Sequence, residues 1–249
     1  MTVTLDDIRA AAERIRGHVV ETPLVRDEAL SARLGQPIWL KCEYRQTTGA
    51  FKLRGATNAI LSLPPEALAR GVVTASTGNH GRALAHAARA LDVPATVCLS
   101  RLVPENKVQA IRELGAEVRI AGASQDEAMA EVARAVAQEG MTEIPPFDHK
   151  AVVPGQGTIG LEIGTAEAVL VPLSGGGLAA GVAVAIKALA PGTRVIGLTM
   201  ENGAAMAASL AAGHPVTQVA LDLGYDSVSA FIAMFRRAFG VPPSRYFRA

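Results

Sequence analysis

Lys52 is the residue of this chain whose surroundings most clearly favour chemistry. It lies between Phe51 and Leu53 in the run Thr-Gly-Ala-Phe-Lys-Leu-Arg-Gly-Ala, residues 48–56. An ammonium held against apolar side chains loses solvation, so its pKa falls and the amine becomes nucleophilic near neutral pH. Such an amine can form a Schiff base with a carbonyl compound. Most lysines beside hydrophobic residues only extend from a surface into water, so this pattern needs support from elsewhere in the chain.

Two glycine-containing segments supply that support. Residues 75–81, Ala-Ser-Thr-Gly-Asn-His-Gly, connect a predicted strand to a predicted helix, and their hydroxyl and free N–H groups suit a carboxylate. Residues 174–178, Ser-Gly-Gly-Gly-Leu, follow an apolar strand-like run and open a helix, so their backbone can close around a phosphate. Either segment alone would fit an ordinary turn between a strand and a helix. Neither is a P-loop, because no Gly-Lys-Ser/Thr follows it.

Taken in order and with their spacing, the three segments resemble the fold-type II pyridoxal phosphate enzymes, in particular the threonine dehydratase and serine racemase family. The resemblance covers residues 1 to about 215. Around residues 47–50 and 98–104 the sequence is most similar to the dehydratases of hydroxyectoine utilization. The matching positions are residues 21–24, 39–43, 51–56, 76–80, Lys107, 114–116 and 155–158.

The resemblance implies a role for each candidate site residue. Lys52 would bind pyridoxal 5'-phosphate as a Schiff base and later move the α-proton of the substrate. Phe51 would lie against the cofactor ring, and Asn79 would hydrogen-bond to the ring hydroxyl. The phosphate would be bound by Ser174, Gly175, Gly176, Gly177 and Leu178, and the substrate carboxylate by Ser76, Thr77, Asn79 and His80. A histidine at a helix start also often caps or packs, and this alternative stays open for His80.

The implied reaction is a β-elimination. A pyridoxal-phosphate-dependent dehydratase, or ammonia-lyase, would remove water from threonine, serine or a hydroxyectoine-derived amino acid and release a keto acid and ammonia. Thr77 stands where the racemases of this group carry a serine that protonates the opposite face. Its hydroxyl leaves some racemisation open, although its extra methyl group crowds the approach, so elimination is favoured.

No metal is predicted. The acidic ligands of the family's divalent-cation site would fall on Thr199 and Ala205, and Glu201 lies out of register with them. Hard cations need carboxylate oxygens, which these two positions do not offer.

Strand-like and helical runs alternate along the chain, which predicts an α/β fold with parallel sheets and with ligands at the carboxyl ends of the strands. The resemblance implies the two-lobed fold-type II architecture, which is tryptophan synthase β-like. Residues 45–145 would form the small lobe, and residues 1–44 with 146–215 a truncated large lobe, with the cofactor between them. The predicted strands are 37–43, 72–75, 95–99, 117–120, 169–173 and 195–199, and the predicted helices 53–63, 82–91, 105–114, 125–138 and 178–190.

Composition agrees with a globular enzyme. The 249 residues are 49% hydrophobic, and a formal charge of +1 gives no general attraction to nucleic acid or membranes. Cys42 and Cys98 lie in strand-like surroundings, which predicts buried free thiols in a reducing compartment. No signal peptide or membrane-spanning run is visible, so the predicted location is cytoplasmic. The resemblance also implies a homodimer acting on a small amino acid.

Residues 216–249 resemble a different family. Their sequence is similar to the second helix-turn-helix of AraC-type transcription regulators, which predicts a short all-α tail. The enzyme family would continue beyond residue 215 with the group that faces the pyridine nitrogen, so impaired dehydratase activity is expected. DNA binding is expected to be weak or absent, because one unit lacks its partner and the tail carries only a mild positive charge. A DNA-binding regulator with a degenerate sensing lobe, or a non-functional fusion product, stays open as an alternative.

Overall fold

The computed structural model describes residues 3–76 and 78–199. The helices are α1 Leu5–Ile15, α2 Glu28–Leu34, α3 Lys52–Leu61, α4 Pro65–Arg70, α5 Asn79–Ala90, α6 Glu105–Glu113, α7 Gln125–Arg134, α8 Val152–Ile163 and α9 Gly177–Leu189. The strands are β1 Leu24–Arg26, β2 Trp39–Lys41, β3 Val72–Ala75, β4 Ala95–Leu99, β5 Glu117–Ile120, β6 Thr142–Glu143, β7 Ala168–Pro172 and β8 Arg194–Leu198. A 3-10 turn, Glu43–Arg45, precedes α3, and a π-helical turn, Ala135–Glu139, extends α7.

A parallel sheet in the order β5-β4-β3-β6 forms the centre of residues 72–143. Every residue of β3 is buried, as expected for a parallel strand covered on both faces. Val72 packs with residues of α3 and α5, whereas Val73 and Ala75 pack with residues of α7. Successive side chains of a strand point to opposite faces, so this alternation places helices on both sides of the sheet.

Glycines bring three helices into backbone contact. A Cβ atom added to Gly157 in α8 would lie 2.9 Å from the Gly181 oxygen in α9. A Cβ atom on Gly55 in α3 would lie 2.8 Å from the Val152 oxygen in α8. Any larger residue would force these helices apart, so glycine at these positions holds α3 and α9 against α8. The spacing Gly-x-Gly-x-x-Gly of residues 155–160 therefore serves helix packing; it lies inside α8 and not between a strand and a helix, where a dinucleotide loop would.

The predicted parallel α/β fold is confirmed, with several local differences, of which three concern the candidate site or a clear sequence signal. Strand β2 pairs antiparallel with β1, so the predicted strand 37–43 is shorter than expected and does not belong to a parallel sheet. Helix α5 begins at Asn79, three residues before the predicted start, which moves Asn79 and His80 from the loop into the first helical turn. Helix α4 was not predicted, although Pro65 at its first position is a typical start signal.

The described residues bear on two further expectations. Cys42 and Cys98 are buried free thiols, as predicted, and burial raises the pKa of the Cys98 thiol to about 11. Within residues 3–76 and 78–199, no helix has the length and apolar character needed to cross a membrane. The lobe boundaries stay a prediction, and the segment 216–249 lies outside the described residues.

Candidate active site

Lys52 opens helix α3, and its amine lies in a largely apolar environment. Its Nζ donates a hydrogen bond of 2.5 Å to the carbonyl oxygen of Pro146. The same nitrogen is 5.3 Å from the ring centre of Phe51 and 6.0 Å from that of Phe147. Burial lowers the pKa of Lys52 to about 8, which is the direction that its apolar flanks predict. Its position at the positive end of the α3 dipole disfavours the ammonium as well.

The predicted carboxylate-binding segment is a short turn between β3 and α5. Ser76 is half-buried, and the Asn79 side chain is exposed at the first position of the helix. The first N–H groups of a helix have no acceptor within it, so those of Asn79, His80 and Gly81 are directed out of the helix end. A Cβ atom on Gly81 would lie 2.5 Å from the Ser76 oxygen, so glycine is needed for the turn to approach the helix. Thr77 lies outside the described residues.

His80 is buried and points away from solvent. Its Nε2 is 2.8 Å from the carbonyl oxygen of Ile144, and its Nδ1 has no partner among the described residues. Burial lowers the pKa of His80 to about 4, against the opposing hydrogen bond to Ile144 and with help from the charges of Lys52 and His149. The imidazole is therefore neutral near pH 7. These contacts favour the packing interpretation of this side chain over a role as a proton donor.

The predicted phosphate loop connects β7 to α9. Gly176 adopts a left-handed conformation with a φ of 85°, which glycine accommodates without strain. Helix α9 begins at Gly177, so the N–H groups of Gly177, Leu178 and Ala179 lack acceptors within the helix. The exposed Ser174 stands at the start of the loop.

One segment that the sequence analysis did not identify contacts Lys52, the start of α5 and the glycine loop before α9. Residues 144–149, Ile-Pro-Pro-Phe-Asp-His, are called the linking segment. Its Ile144 oxygen contacts His80, and its Pro146 oxygen contacts Lys52. A Cβ atom on Gly175 would lie 2.5 Å from the Phe147 ring, and one on Gly177 would lie 2.7 Å from the Phe147 oxygen. The sequence did contain a signal for this segment: two consecutive prolines and an aromatic residue follow a short strand.

A buried charge network lies two residues beyond Lys52 on the same helix. The guanidinium of Arg54 donates twice to Glu43, at 2.9 Å each, and twice to Glu162, one bond being 2.8 Å. Lys41 Nζ also donates to Glu162 at 2.5 Å. Two cations thus face two carboxylates, and the Arg54 side chain is 0% exposed. The network links α3 to α8. It also gives a structural role to four positions that match the resembled family but have no proposed chemical role: Lys41, Glu43, Arg54 and Thr158.

Two cavities of the described structure lie away from Lys52. A cavity of about 480 Å³ is lined by Arg70, Arg119 and Glu139 near the start of the central strands. A second cavity, of about 550 Å³, is lined by Arg16, Glu21 and other residues beside α1. Neither includes Lys52, so the chemistry of the side chains and not the volume identifies the candidate site.

This geometry defines a class of protein: a parallel α/β fold in which a lysine with a lowered pKa and a glycine-rich helix start both contact residues 146–147. The family model for pyridoxal-phosphate dependent enzymes matches residues 15–237, and the chain belongs to this family. The family depends on pyridoxal phosphate, so the cofactor prediction is confirmed. The match extends into the segment 216–249, for which a separate tail was predicted.

Individual relatives agree with the family. The chain is 59% identical to a "Putative threonine dehydratase" of Sinorhizobium fredii over 86% of its own length and 66% of the relative. It is 46% identical to an L-threonine ammonia-lyase of Geobacter sulfurreducens over 81% of the chain and 50% of the relative. The structure of maize serine racemase superposes with a TM-score of 0.83 at 36% identity, covering 86% of this chain and 66% of that one. The chain thus spans one half to two thirds of the length of these proteins.

The residues present fit the cofactor of this family. Lys52 offers a half-buried amine with a lowered pKa, as attachment of a carbonyl group requires. The start of α9 offers N–H groups with no acceptor in the helix, beside glycines that leave no side chain in the way. No group of three or more metal-ligating side chains occurs within residues 3–76 and 78–199. Ala205 and Glu201 lie outside this part of the chain, so the absence of a metal stays a prediction.

Gly175 has two possible reasons to be glycine, and a pair of variants separates them. The residue leaves room for the Phe147 ring, and it would also allow a phosphate to approach. Because the ring lies 2.5 Å from the added Cβ, we expect Gly175→Ala to destabilise the chain by about 1–3 kcal/mol. In a Phe147→Ala background the same substitution should lower the free energy of unfolding much less. The coupling free energy between the two positions, measured by urea unfolding, should be about 1 kcal/mol or more.

Gly192→Ala is the matched control, since a Cβ atom there meets nothing within 4 Å and the backbone is unstrained. Equal penalties for Gly175→Ala in the two backgrounds would contradict the Phe147 explanation. The second reason, room for a phosphate, is tested by measuring cofactor affinity on the same variants. A loss of affinity that persists when Phe147 is alanine indicates that the phosphate needs this glycine.

Proposed function

We propose that this chain carries the catalytic site of a pyridoxal-phosphate-dependent dehydratase, or ammonia-lyase, which removes water from a hydroxy-amino acid. The observation that carries the proposal is the half-buried Lys52 amine, hydrogen-bonded to Pro146 and connected through Phe147 to the glycine loop of α9. The names of the relatives support a threonine substrate.

Lys52 would hold the cofactor and then receive the α-proton of the substrate. With a pKa of about 8, about a tenth of the amine is neutral at pH 7. An ordinary lysine amine has a neutral fraction of roughly one in three thousand at this pH. Burial thus increases the reactive form by about two orders of magnitude. The bound cofactor supplies an electron sink, and the protein residues orient the reactants around it.

The anionic groups would bind at two helix starts. The start of α9, with Ser174, Gly175, Gly176, Gly177 and Leu178, suits the phosphate because its N–H groups and dipole favour negative charge. The start of α5 suits the substrate carboxylate, which Ser76, Thr77, Asn79 and His80 would bind. His80 would contribute its backbone N–H, since its side chain is occupied by Ile144. Phe51 would lie against the cofactor ring, and the exposed Asn79 side chain would bind the ring hydroxyl.

The substrate, the residual racemisation, the oligomeric state and the location are part of the same proposal. Threonine and serine are the first candidate substrates, and a hydroxyectoine-derived amino acid is the third, supported by the sequence of residues 47–50 and 98–104. Residual racemisation depends on Thr77, which lies outside the described residues. A homodimer is proposed from the family resemblance, and a cytoplasmic location is proposed from the two free thiols. The regulator alternative depends on residues 216–249, and no described residue supports it.

A spectrum and a product assay test the proposal. Purified chain mixed with pyridoxal phosphate should gain a visible absorption band that shifts when threonine is added. Release of ammonia and keto acid is then measured with threonine, serine and hydroxyectoine-derived amino acids, and threonine is expected to give the highest rate. Lys52→Ala is the matched negative control. A folded chain that gains no band at any cofactor concentration would refute the proposal.

A further inference from the structure

The linking segment receives hydrogen bonds from two side chains of the candidate site at positions two residues apart. His80 Nε2 contacts the oxygen of Ile144 at 2.8 Å, and Lys52 Nζ contacts the oxygen of Pro146 at 2.5 Å. The Ile144 N–H donates in turn to the Val73 oxygen of β3 at 2.9 Å. Ile144 is therefore fixed at both its N–H and its carbonyl group.

The contact with Ile144 determines the tautomer of His80. A backbone carbonyl only accepts, so Nε2 must carry the proton. In a neutral imidazole the other nitrogen is then an acceptor, and within residues 3–76 and 78–199 no donor contacts the buried Nδ1. A buried polar atom without a partner is unfavourable. His80 thus makes one side-chain hydrogen bond within the described structure, and that bond is directed at the linking segment.

Two prolines transmit this contact to Lys52. Pro145 and Pro146 each have a φ fixed by the ring, and each restricts the residue before it. The chain from the Ile144 carbonyl to the Pro146 carbonyl therefore has few free torsions. If Ile144 is held in place, the Pro146 oxygen is held in place as well.

We infer that His80 is a positioning residue for Lys52: by holding Ile144 it fixes the Pro146 oxygen that receives the lysine amine. The linking segment also covers the amine, since the Phe147 ring centre lies 6.0 Å from Nζ. The titratable groups that interact with His80 are Lys52 and His149. The consequence for cofactor attachment rests on the proposed function, whereas the positioning itself does not.

Loss of the His80 contact should free the linking segment and admit water to Lys52. Water restores solvation of the ammonium, so the pKa of Lys52 should rise from about 8 toward that of an ordinary lysine. The measurement is the pH dependence of Lys52 acetylation by acetic anhydride in the cofactor-free chain, followed by mass spectrometry. The exposed Lys107 serves as the internal reference for reagent reactivity.

We expect the midpoint for His80→Leu to move up by about one pH unit or more relative to the parent chain. His80→Gln places a donor at a similar reach and should keep the parent midpoint. His80→Asn is shorter, so its donor does not reach Ile144, and it should behave as His80→Leu does. His80→Asn takes the place of His80→Leu if the leucine variant does not fold. A folded His80→Asn or His80→Leu chain with the parent midpoint would overturn the inference.

The cofactor-free measurement keeps this inference separate from the proposed function. A shifted midpoint in a chain that never attaches pyridoxal phosphate would uphold the positioning role and refute the proposed function. An unshifted midpoint in a chain that attaches the cofactor at Lys52 would do the reverse.

Discussion

Lys52→Ala should abolish covalent attachment of pyridoxal phosphate to this chain, whereas Lys107→Ala should leave it unchanged. Burial lowers the pKa of Lys52 to about 8, so its amine is far more available at neutral pH than that of an ordinary lysine. Lys107 is exposed on α6 and has no comparable environment. Reduction with borohydride followed by peptide mapping should place the cofactor on the peptide that contains Lys52.

Lys41 is the most informative alternative position for the label. It is buried close to α3, but its Nζ donates to the Glu162 carboxylate at 2.5 Å and to the Thr22 carbonyl. An amine held by these two acceptors is less free to attack the cofactor. Recovery of the label on Lys41 or on Lys107 would contradict the assignment of Lys52.

Arg54→Met should destabilise the chain by about 3–5 kcal/mol, because it leaves two carboxylates that are only 16% and 15% exposed without their main partner. Arg54 is 0% exposed and forms paired hydrogen bonds with both Glu43 and Glu162. The matched control is Arg112→Met, since Arg112 forms an ion pair with Glu105 at 3.0 Å in an exposed setting. An exposed pair contributes about 0–1 kcal/mol. Urea unfolding of the two variants measures the difference.

A second substitution tests the cause of this effect. Adding Glu43→Gln to Arg54→Met removes one of the uncompensated charges, so part of the lost stability should return. The glutamine oxygen can still accept from the Thr22 hydroxyl, which contacts Glu43 in the parent chain. If Arg54→Met costs no more than Arg112→Met, the network does not stabilise the fold in the way its burial indicates.

The strands of the central sheet could be predicted from sequence because their signal is local. Residues 72–75, 95–99 and 117–120 have the predicted bounds. The antiparallel pairing of β2 could not be predicted, since its partner β1 has three residues and an exposed pattern with no alternation. The early start of α5 was also missed, because Gly78 at its cap carries no side-chain signal.

The site was predictable to the extent that its chemistry resides in neighbouring residues. The apolar flanks of Lys52 gave the direction of its pKa shift, and the glycines marked the start of α9. The partners of these residues come from far along the chain: Pro146 is 94 residues from Lys52, and Glu162 is 108 residues from Arg54. Sequence spacing carries no information on such contacts. The buried position of His80 depends in the same way on Ile144, 64 residues away.

The glycine contacts of α8 determine how far the two ends of the proposed cofactor site can move apart. Helix α3 carries Lys52, helix α9 follows the glycine loop, and both touch α8 through backbone atoms at Gly55 and Gly157. Backbone contacts of this kind cannot adjust by a change of rotamer. The helices therefore act as a rigid spacer between the Lys52 amine and the proposed anion-binding start of α9. Such a spacer selects its ligand by length, and a cofactor homologue with one additional methylene between ring and phosphate would not reach both ends without strain.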